Sequence, residues 1–315
     1  MNTVANLPFQ IIYVARPIHW IKNMALFGAL LLTGTLFEKG LLVDVVFAFV
    51  AFSFATSATY IFNDLMDAKS DRLHPVKKNR PIASGKLPVF LAVLELLSFL
   101  FLSLLIAFVL NDLLFTLILF YLGLQALYSL GLKNIHVIDI IIIATGFVLR
   151  VYAGAFVINA HLSVWFLLCV VSASLFLAAG KRRAEINLLE AVDGGTRKSL
   201  SKYSKELLNS YVTMFGNATW MSWSLYTFFE SPKAALPFWL ALAELSRATT
   251  IDKLMMLTIP VVIFGIMRYE ALIFEGKSEA PEKLLLTDKA LLIAVGLWLT
   301  LVYWILYSGV SVSGI

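Results

Sequence analysis

The chain has 315 residues, of which 60% are hydrophobic and 14% charged, with a mean hydropathy of +0.86 and a formal charge of +5. Soluble domains carry about 45–50% apolar and about 25% charged residues, so a soluble fold is excluded. One cysteine, Cys169 in an apolar run, excludes an intrachain disulfide and a thiolate cluster, and the scattered histidines show no metal-ligand spacing.

One bilayer crossing needs roughly 20 apolar residues. Apolar runs near 18–37, 44–62, 89–110, 113–131, 137–158, 163–180, 207–229, 254–274 and 289–308 predict nine transmembrane helices, hence an all-α polytopic membrane protein with residues 1–315 forming a single membrane-embedded domain. No basic start, apolar run and small-residue cleavage site mark a removable signal peptide, so the first helix is expected to direct insertion. Leu236 to Leu245, opening after Pro232 and Pro237, is too short to span and reads as interfacial. The bilayer is the expected environment. No Gly-rich phosphate loop follows a strand pattern, and nucleic acid is not an expected partner.

Nine spans place the termini on opposite sides, which makes orientation a matter of counting Lys and Arg. One face collects 20 of the 25, the other only Lys39, Lys233, Arg247 and Lys253, and Arg150 falls inside the fifth span. Cytoplasmic loops carry the basic excess, so the N-terminus and the loops after spans two, four, six and eight are expected in the cytoplasm of a multi-pass cell-membrane protein.

Orientation does not account for acids. Asn63, Asp67 and Asp71 are spaced i, i+4, i+8, with Asp64 three before Asp67, so a helix continued through this stretch carries the carboxylates along one face. Like charges this close repel and require compensation. Hard divalent cations prefer carboxylate oxygen, and magnesium is commonly shared between one or two carboxylates and a substrate's phosphates. The next segment, from Arg72 to Gly85, is punctuated by Pro75, Pro81 and Gly85 and reads as a loop able to fold over the acidic face. Arg72, Lys77 and Arg80 within it suit a metal-held diphosphate, since arginine offers a planar fork to phosphate and lysine a mobile point charge.

The pattern Asn-Asp-x-x-Asp-x-x-x-Asp-Arg-x-x-x-Lys-x-x-Arg-Pro, from Asn63 to Pro81, resembles the first signature of the UbiA-type membrane transferase superfamily. Arg16-Pro17, Trp20 to Asn23, Tyr128 and Lys133 fit the same resemblance, which extends over essentially the whole chain. It implies a UbiA-like bundle with Mg2+ held by two acidic motifs, prenyl transfer from an isoprenoid diphosphate, and an aromatic acceptor. This chain departs at the second motif. Where that family has a further Asp-x-x-x-Asp at the end of helix six, this sequence reads Gly180-Lys181-Arg182-Arg183-Ala184-Glu185. One acid and three bases weaken a second magnesium site and favour another anionic group.

Continued by Arg197 to Leu200 and Tyr203, and joined by Asp139 and Arg150, this variant is similar to the decaprenyl-phosphate phosphoribosyltransferase branch of that superfamily. The resemblance implies phosphoribosyl pyrophosphate and a polyprenyl phosphate as substrates, pyrophosphate as leaving group, and a role in making arabinofuranose donors for cell-wall glycans. Asp64, Asp67 and Asp71 are then expected to hold Mg2+ on the diphosphate, with Asn63 orienting it, in motif loops 63–88 and 180–206. Lys181, Arg182 and Arg197 are candidates for a phosphate, with Glu185 and Tyr203 in the same cluster. Lys22, Lys133 and Arg150 are candidates to hold the lipid phosphate or neutralise the pocket, because a basic group at membrane depth is costly unless paired or functional. Asp139 is a candidate partner for Arg150. Two other readings stay open: a conventional prenyltransferase with the same magnesium motif, and an ion-coupled transporter using Asp139 and Arg150 as a relay.

Overall fold

The computed structural model describes residues 7–73, 77–190, 203–230, 251–275, 284 and 286–308. Every regular element among them is helical. In chain order these are α1 (Leu7–Ala15), a 3-10 helix (Pro17–Leu26), α2 (Phe27–Leu32), α3 (Leu41–Asp71), α4 (Val89–Leu110), α5 (Asp112–Leu130), α6 (Ile138–Val157), α7 (Val164–Glu190), α8 (Lys205–Phe229), α9 (Ile259–Phe274) and α10 (Lys289–Tyr307).

Side-chain caps set several starts. Asn111 accepts from the backbone N–H of Leu113 at 2.9 Å and Leu114 at 3.1 Å, Ser204 from Leu207 at 3.1 Å, and Asp288 from Leu291 at 3.0 Å. Each satisfies an amide that a helix N-terminus leaves without a partner.

Among the described residues, seven segments are long and apolar enough to cross a membrane: α3, α4, α5, α6, residues 164–186 of α7, residues 253–274 ending in α9, and α10. The two other expected spans have different characters. The 18–37 run is broken, with the 3-10 helix opening on Pro17 and giving way to a six-residue α2. The 207–229 run is a continuous helix, α8, but Asn209, Asn217 and several hydroxyl residues dilute its apolar face. The interfacial segment expected at 236–245 lies outside the described residues.

Helix α3 has 31 residues. At 1.5 Å per residue that is about 46 Å, against about 30 Å of hydrocarbon, so its last turns emerge at the bilayer rim carrying the acidic motif. α3 and α6 are the most buried spans, whereas α4 turns most of its surface outward, with Phe90, Phe101, Phe108 and Val109 exposed. An apolar face toward lipid carries no desolvation cost. Ser103 on α4 instead points inward and donates to the Ala51 carbonyl at 2.8 Å, which joins α4 to α3.

The 3-10 helix is clamped between α3 and α6. Trp20 donates to Ser57 at 2.9 Å, Asn23 donates to Ser53 at 2.9 Å, and Ser57 in turn donates to the Ala15 carbonyl at 2.8 Å. On the other side Gly154 of α6 approaches so closely that an added Cβ would lie 1.9 Å from the Leu26 carbonyl oxygen. These contacts fix the segment that delivers Arg16 and Lys22 to the acidic end of α3.

Candidate active site

The acidic motif is helical through Asp71, as its spacing requires, and each carboxylate meets a cation from a distant part of the chain. Arg16, in the left-handed conformation (φ 52, ψ 56) between α1 and the 3-10 helix, places Nη2 2.7 Å from both oxygens of Asp64 and stacks its guanidinium over Tyr60. Arg80 returns from the loop after α3 and bridges two acids, with Nη1 3.0 Å from Asp64 Oδ1 and 2.7 Å from Asp71 Oδ2. Lys133, on a 3-10 turn over Leu132–Asn134, places Nζ 2.6 and 2.7 Å from the oxygens of Asp67 and 3.3 Å from Asn63 Oδ1.

Asp64 and Asp71 are buried, whereas Asp67 retains 22% side-chain exposure and is the acid most open to a ligand. Three acids and three bases are thus balanced, which the desolvation of so many charges requires.

The other expected ligands take distinct places. Lys22 Nζ donates to the Tyr60 hydroxyl at 3.4 Å, so Arg16 and Lys22 flank one ring. Lys77 stands on a 3-10 turn three residues before Arg80, whose backbone N–H donates to the Lys77 carbonyl at 3.0 Å. Arg72 donates Nε to the Ala83 carbonyl at 3.2 Å, fastening the loop.

A second ionic cluster lies at the neighbouring helix ends. Arg182 of α7 is fully buried, with Nε 2.7 Å from Asp139 Oδ2, Nη1 on Glu185 Oε2 and Nη2 2.8 Å from the Tyr128 hydroxyl. The Tyr203 hydroxyl donates to Asp139 Oδ1 at 2.7 Å and accepts the Val137 backbone N–H at 2.8 Å. Burial, together with the bond to Asp139, holds that hydroxyl above its ordinary pKa, so it remains a donor. The pairing of Asp139 with Arg150 is therefore corrected: Arg182 lies close enough to neutralise Asp139.

Arg150 occupies a separate cage at membrane depth. Nε donates to Asn23 Oδ1 at 2.7 Å, Nη1 to the Gly146 carbonyl, and Nη2 lies 3.4 Å from both Thr56 Oγ1 and the Tyr121 hydroxyl. The rings of Phe52, Tyr121 and Phe147 surround it. These neutral partners and π faces solvate the guanidinium, and through Asn23 they tie α6 to the 3-10 helix.

Residues 24–250 match the UbiA prenyltransferase family. The chain belongs to that family. Among family members, the decaprenyl-phosphate phosphoribosyltransferase of Corynebacterium glutamicum is 36% identical over 96% of this chain and 88% of its own length. The protein of that name from Mycolicibacterium smegmatis is 35% identical over 93% and 91% respectively. A UbiA homologue from Archaeoglobus fulgidus, solved with GPP and Mg2+, superposes with a TM-score of 0.70 at 18% identity, covering 94% of this chain and 99% of that one. The UbiA fold expected from the motif is therefore the fold observed.

Within this UbiA family member the hard oxygen donors at the end of α3 fit a divalent cation. Asp64 and Asp71 converge on one Arg80 nitrogen, and Asp67 with Asn63 converge on the Lys133 ammonium, so each pair already encloses a positive centre. Among the described residues no three such side chains form a ready-made metal cluster. A metal would share these oxygens with Arg80 and Lys133 or displace them.

Sequence reasoning found Asn63, Asp64, Asp67, Asp71, Arg80 and Lys133, and the structure brings all six together. It places Lys181 beside Arg182 on α7 and puts Arg182, Glu185 and Tyr203 in the buried Asp139 cluster. Arg197 lies outside the described residues. Arg16 stands out in the sequence only through the Arg16-Pro17 pair. Its hold on Asp64, 48 residues away, depends on a left-handed backbone that a non-glycine residue does not advertise.

Proposed function

We propose that this member of the UbiA family transfers the 5-phosphoribosyl group of phosphoribosyl pyrophosphate to a polyprenyl phosphate, releasing pyrophosphate, at the cytoplasmic face of a cell membrane. The observation that carries the reading is the state of the α7 end. Glu185, the only acid among residues 180–186, is engaged by Arg182, so this stretch presents no second acidic pair, and Lys181 is the base within it that is neither buried nor tied to an acid. Two relatives that cover most of the chain bear the corresponding activity in their names. The twenty-to-four bias of Lys and Arg across the expected loops supports the cytoplasmic orientation.

In this reading the diphosphate of the donor docks against the acidic end of α3, with Asp64, Asp67 and Asp71 holding Mg2+. When bound, that ion supplies charge neutralisation to the departing pyrophosphate. Arg16, Arg80 and Lys133 exchange their carboxylate partners for phosphate oxygens, and Asn63 and Lys77 orient the group. Lys181 and Arg197 are assigned to a second phosphate. Breaking the bond from the anomeric carbon to the diphosphate leaves oxocarbenium character at that carbon, and an oxygen of the lipid phosphate forms the new bond. That oxygen is already anionic at neutral pH, so no strong general base is required. Lys22, which meets the same Tyr60 side chain as Arg16, is assigned to the lipid phosphate. The product would supply arabinofuranose donors for cell-wall glycans.

The test uses purified full-length protein in detergent with Mg2+, a polyprenyl phosphate and labelled phosphoribosyl pyrophosphate. Label should enter the lipid phase and depend on all three. Absence of transfer would sink the reading, and transfer of a prenyl group from geranyl diphosphate to an aromatic acceptor would favour the conventional chemistry instead.

A further inference from the structure

The loop between α5 and α6 connects the two ionic clusters. Its first half carries Lys133, which grips Asp67 and Asn63. Its second half carries His136 and Val137, which contact Tyr203. Val137 has φ 68 and ψ −44, close to the sparsely populated γ-turn region, where a β-branched residue is strained. Such a conformation persists only where its surroundings over-determine it.

Three contacts do so here. The Val137 N–H donates to the Tyr203 hydroxyl at 2.8 Å, that hydroxyl donates to Asp139 at 2.7 Å, and the His136 ring lies 4.0 Å from the Tyr203 ring. Asp139 is itself fixed by Arg182, and both are fully buried. Between Val137 and Lys133 the chain is a tight turn, with Asn134 N–H donating to the Gly131 carbonyl at 2.9 Å and Ile135 N–H to Leu132 at 3.1 Å. Little slack remains to absorb a shift of Val137 before it reaches Lys133.

We propose that Tyr203 is a positioning residue whose hydroxyl holds Val137 in its strained conformation and thereby sets the Lys133 ammonium on Asp67. The functional half of this inference rests on the reaction proposed above, in which Lys133 passes to the donor diphosphate. Tyr203 touches no reacting atom in this assignment. It acts through the five residues of backbone from Lys133 to Val137, and the Asp139–Arg182 pair is the anchor behind it.

The test compares wild type, Tyr203→Phe and the double variant Tyr203→Phe/Val137→Gly in full-length protein. Glycine accepts positive φ without a Cβ penalty, so it supplies locally what the lost hydroxyl imposed. Removing the hydroxyl should speed hydrogen exchange of the amides from 131 to 138 and raise KM for phosphoribosyl pyrophosphate about fivefold, the scale of one hydrogen bond, with KM for the lipid phosphate unchanged. Glycine at 137 should return KM to within about twofold of wild type, because the turn is again intrinsically allowed.

Unchanged exchange in Tyr203→Phe would overturn the clamp. A double variant as defective in KM as the single one would also overturn it, since Tyr203 would then be contacting substrate itself. Should Tyr203→Phe not fold, the double variant must fold, and its failure would count equally against the proposal. Exchange is read without substrate, so it decides the clamp even if wild type transfers no phosphoribosyl group, an outcome that counts against the proposed reaction alone.

Discussion

Lys133 places one ammonium within 2.7 Å of both oxygens of Asp67, a residue 66 positions earlier, with its side chain only 10% exposed. A buried ammonium closing on a carboxylate at the membrane rim is a charge held ready for a partner of either sign: a metal for the acid, a phosphate for the base.

Asp67→Asn removes the charge and keeps the shape. Asparagine still offers one oxygen to Lys133, so the protein should fold, while phosphoribosyl transfer should fall by about 10²–10³-fold, the scale of one lost electrostatic contact to a developing charge. Steady-state turnover alongside a thermal unfolding curve checks both, and unchanged turnover would refute the metal assignment.

Lys133→Met should have two effects of opposite sign. Asp67 and Asn63 lose the cation competing for their oxygens, so the Mg2+ concentration giving half-maximal activity should fall. The diphosphate loses a partner, so KM for the donor should rise about tenfold, the scale of a hydrogen bond to a charged group. A metal titration at saturating donor separates them, and a rise in the Mg2+ midpoint would show that Lys133 does not compete with the ion.

Asp139→Asn tests the buried pair. Both Arg182 and Asp139 are fully inaccessible, so removing the Asp139 charge leaves Arg182 only Glu185 to balance it, a loss below the about 3–5 kcal/mol of a fully stranded buried charge. Replacing both by leucine should recover a substantial part of that loss, although Glu185 and Tyr128 would still need new partners. Chemical denaturation of the single and double variants reads the coupling, and additive losses would mean the pair is not energetically linked.

Gly154→Ala should separate α6 from the 3-10 helix, because the new Cβ would overlap the Leu26 carbonyl. The expected loss is about 1–3 kcal/mol or more, with reduced activity as Arg16 and Lys22 shift. Gly265→Ala, inside α9 with nothing within 4 Å of an added Cβ, is the control and should be neutral or stabilising by up to about 1 kcal/mol. Equal melting temperatures for the two variants would contradict the close approach.

The membrane class, the helix positions and the acidic face were legible in the chain because each rests on local pattern. Apolar run length marks a span, and i, i+4 spacing aligns side chains on a helix. For α4, expected at 89–110, the observed bounds agree to the residue. The expectation faltered where tertiary contacts outweighed hydropathy. The 18–37 run is a 3-10 helix up to Leu26 and a short α-helix that ends at Leu32, held by Trp20, Asn23 and the Gly154 contact, and no local signal describes those partners.

Charge pairing was the part only tertiary structure decided. The sequence by itself determined that three aspartates would lie along one face of a helix and that a loop rich in bases would follow them. Which base meets which acid depends on how α3, α5, α6 and α7 end at one rim. Asp139 pairs with Arg182 rather than Arg150 because the start of α6 abuts the end of α7, whereas Arg150 lies three turns deeper, among Asn23, Thr56 and Tyr121. A Coulomb interaction depends on distance and local dielectric, and both are properties of the packed bundle rather than of the order of residues along it.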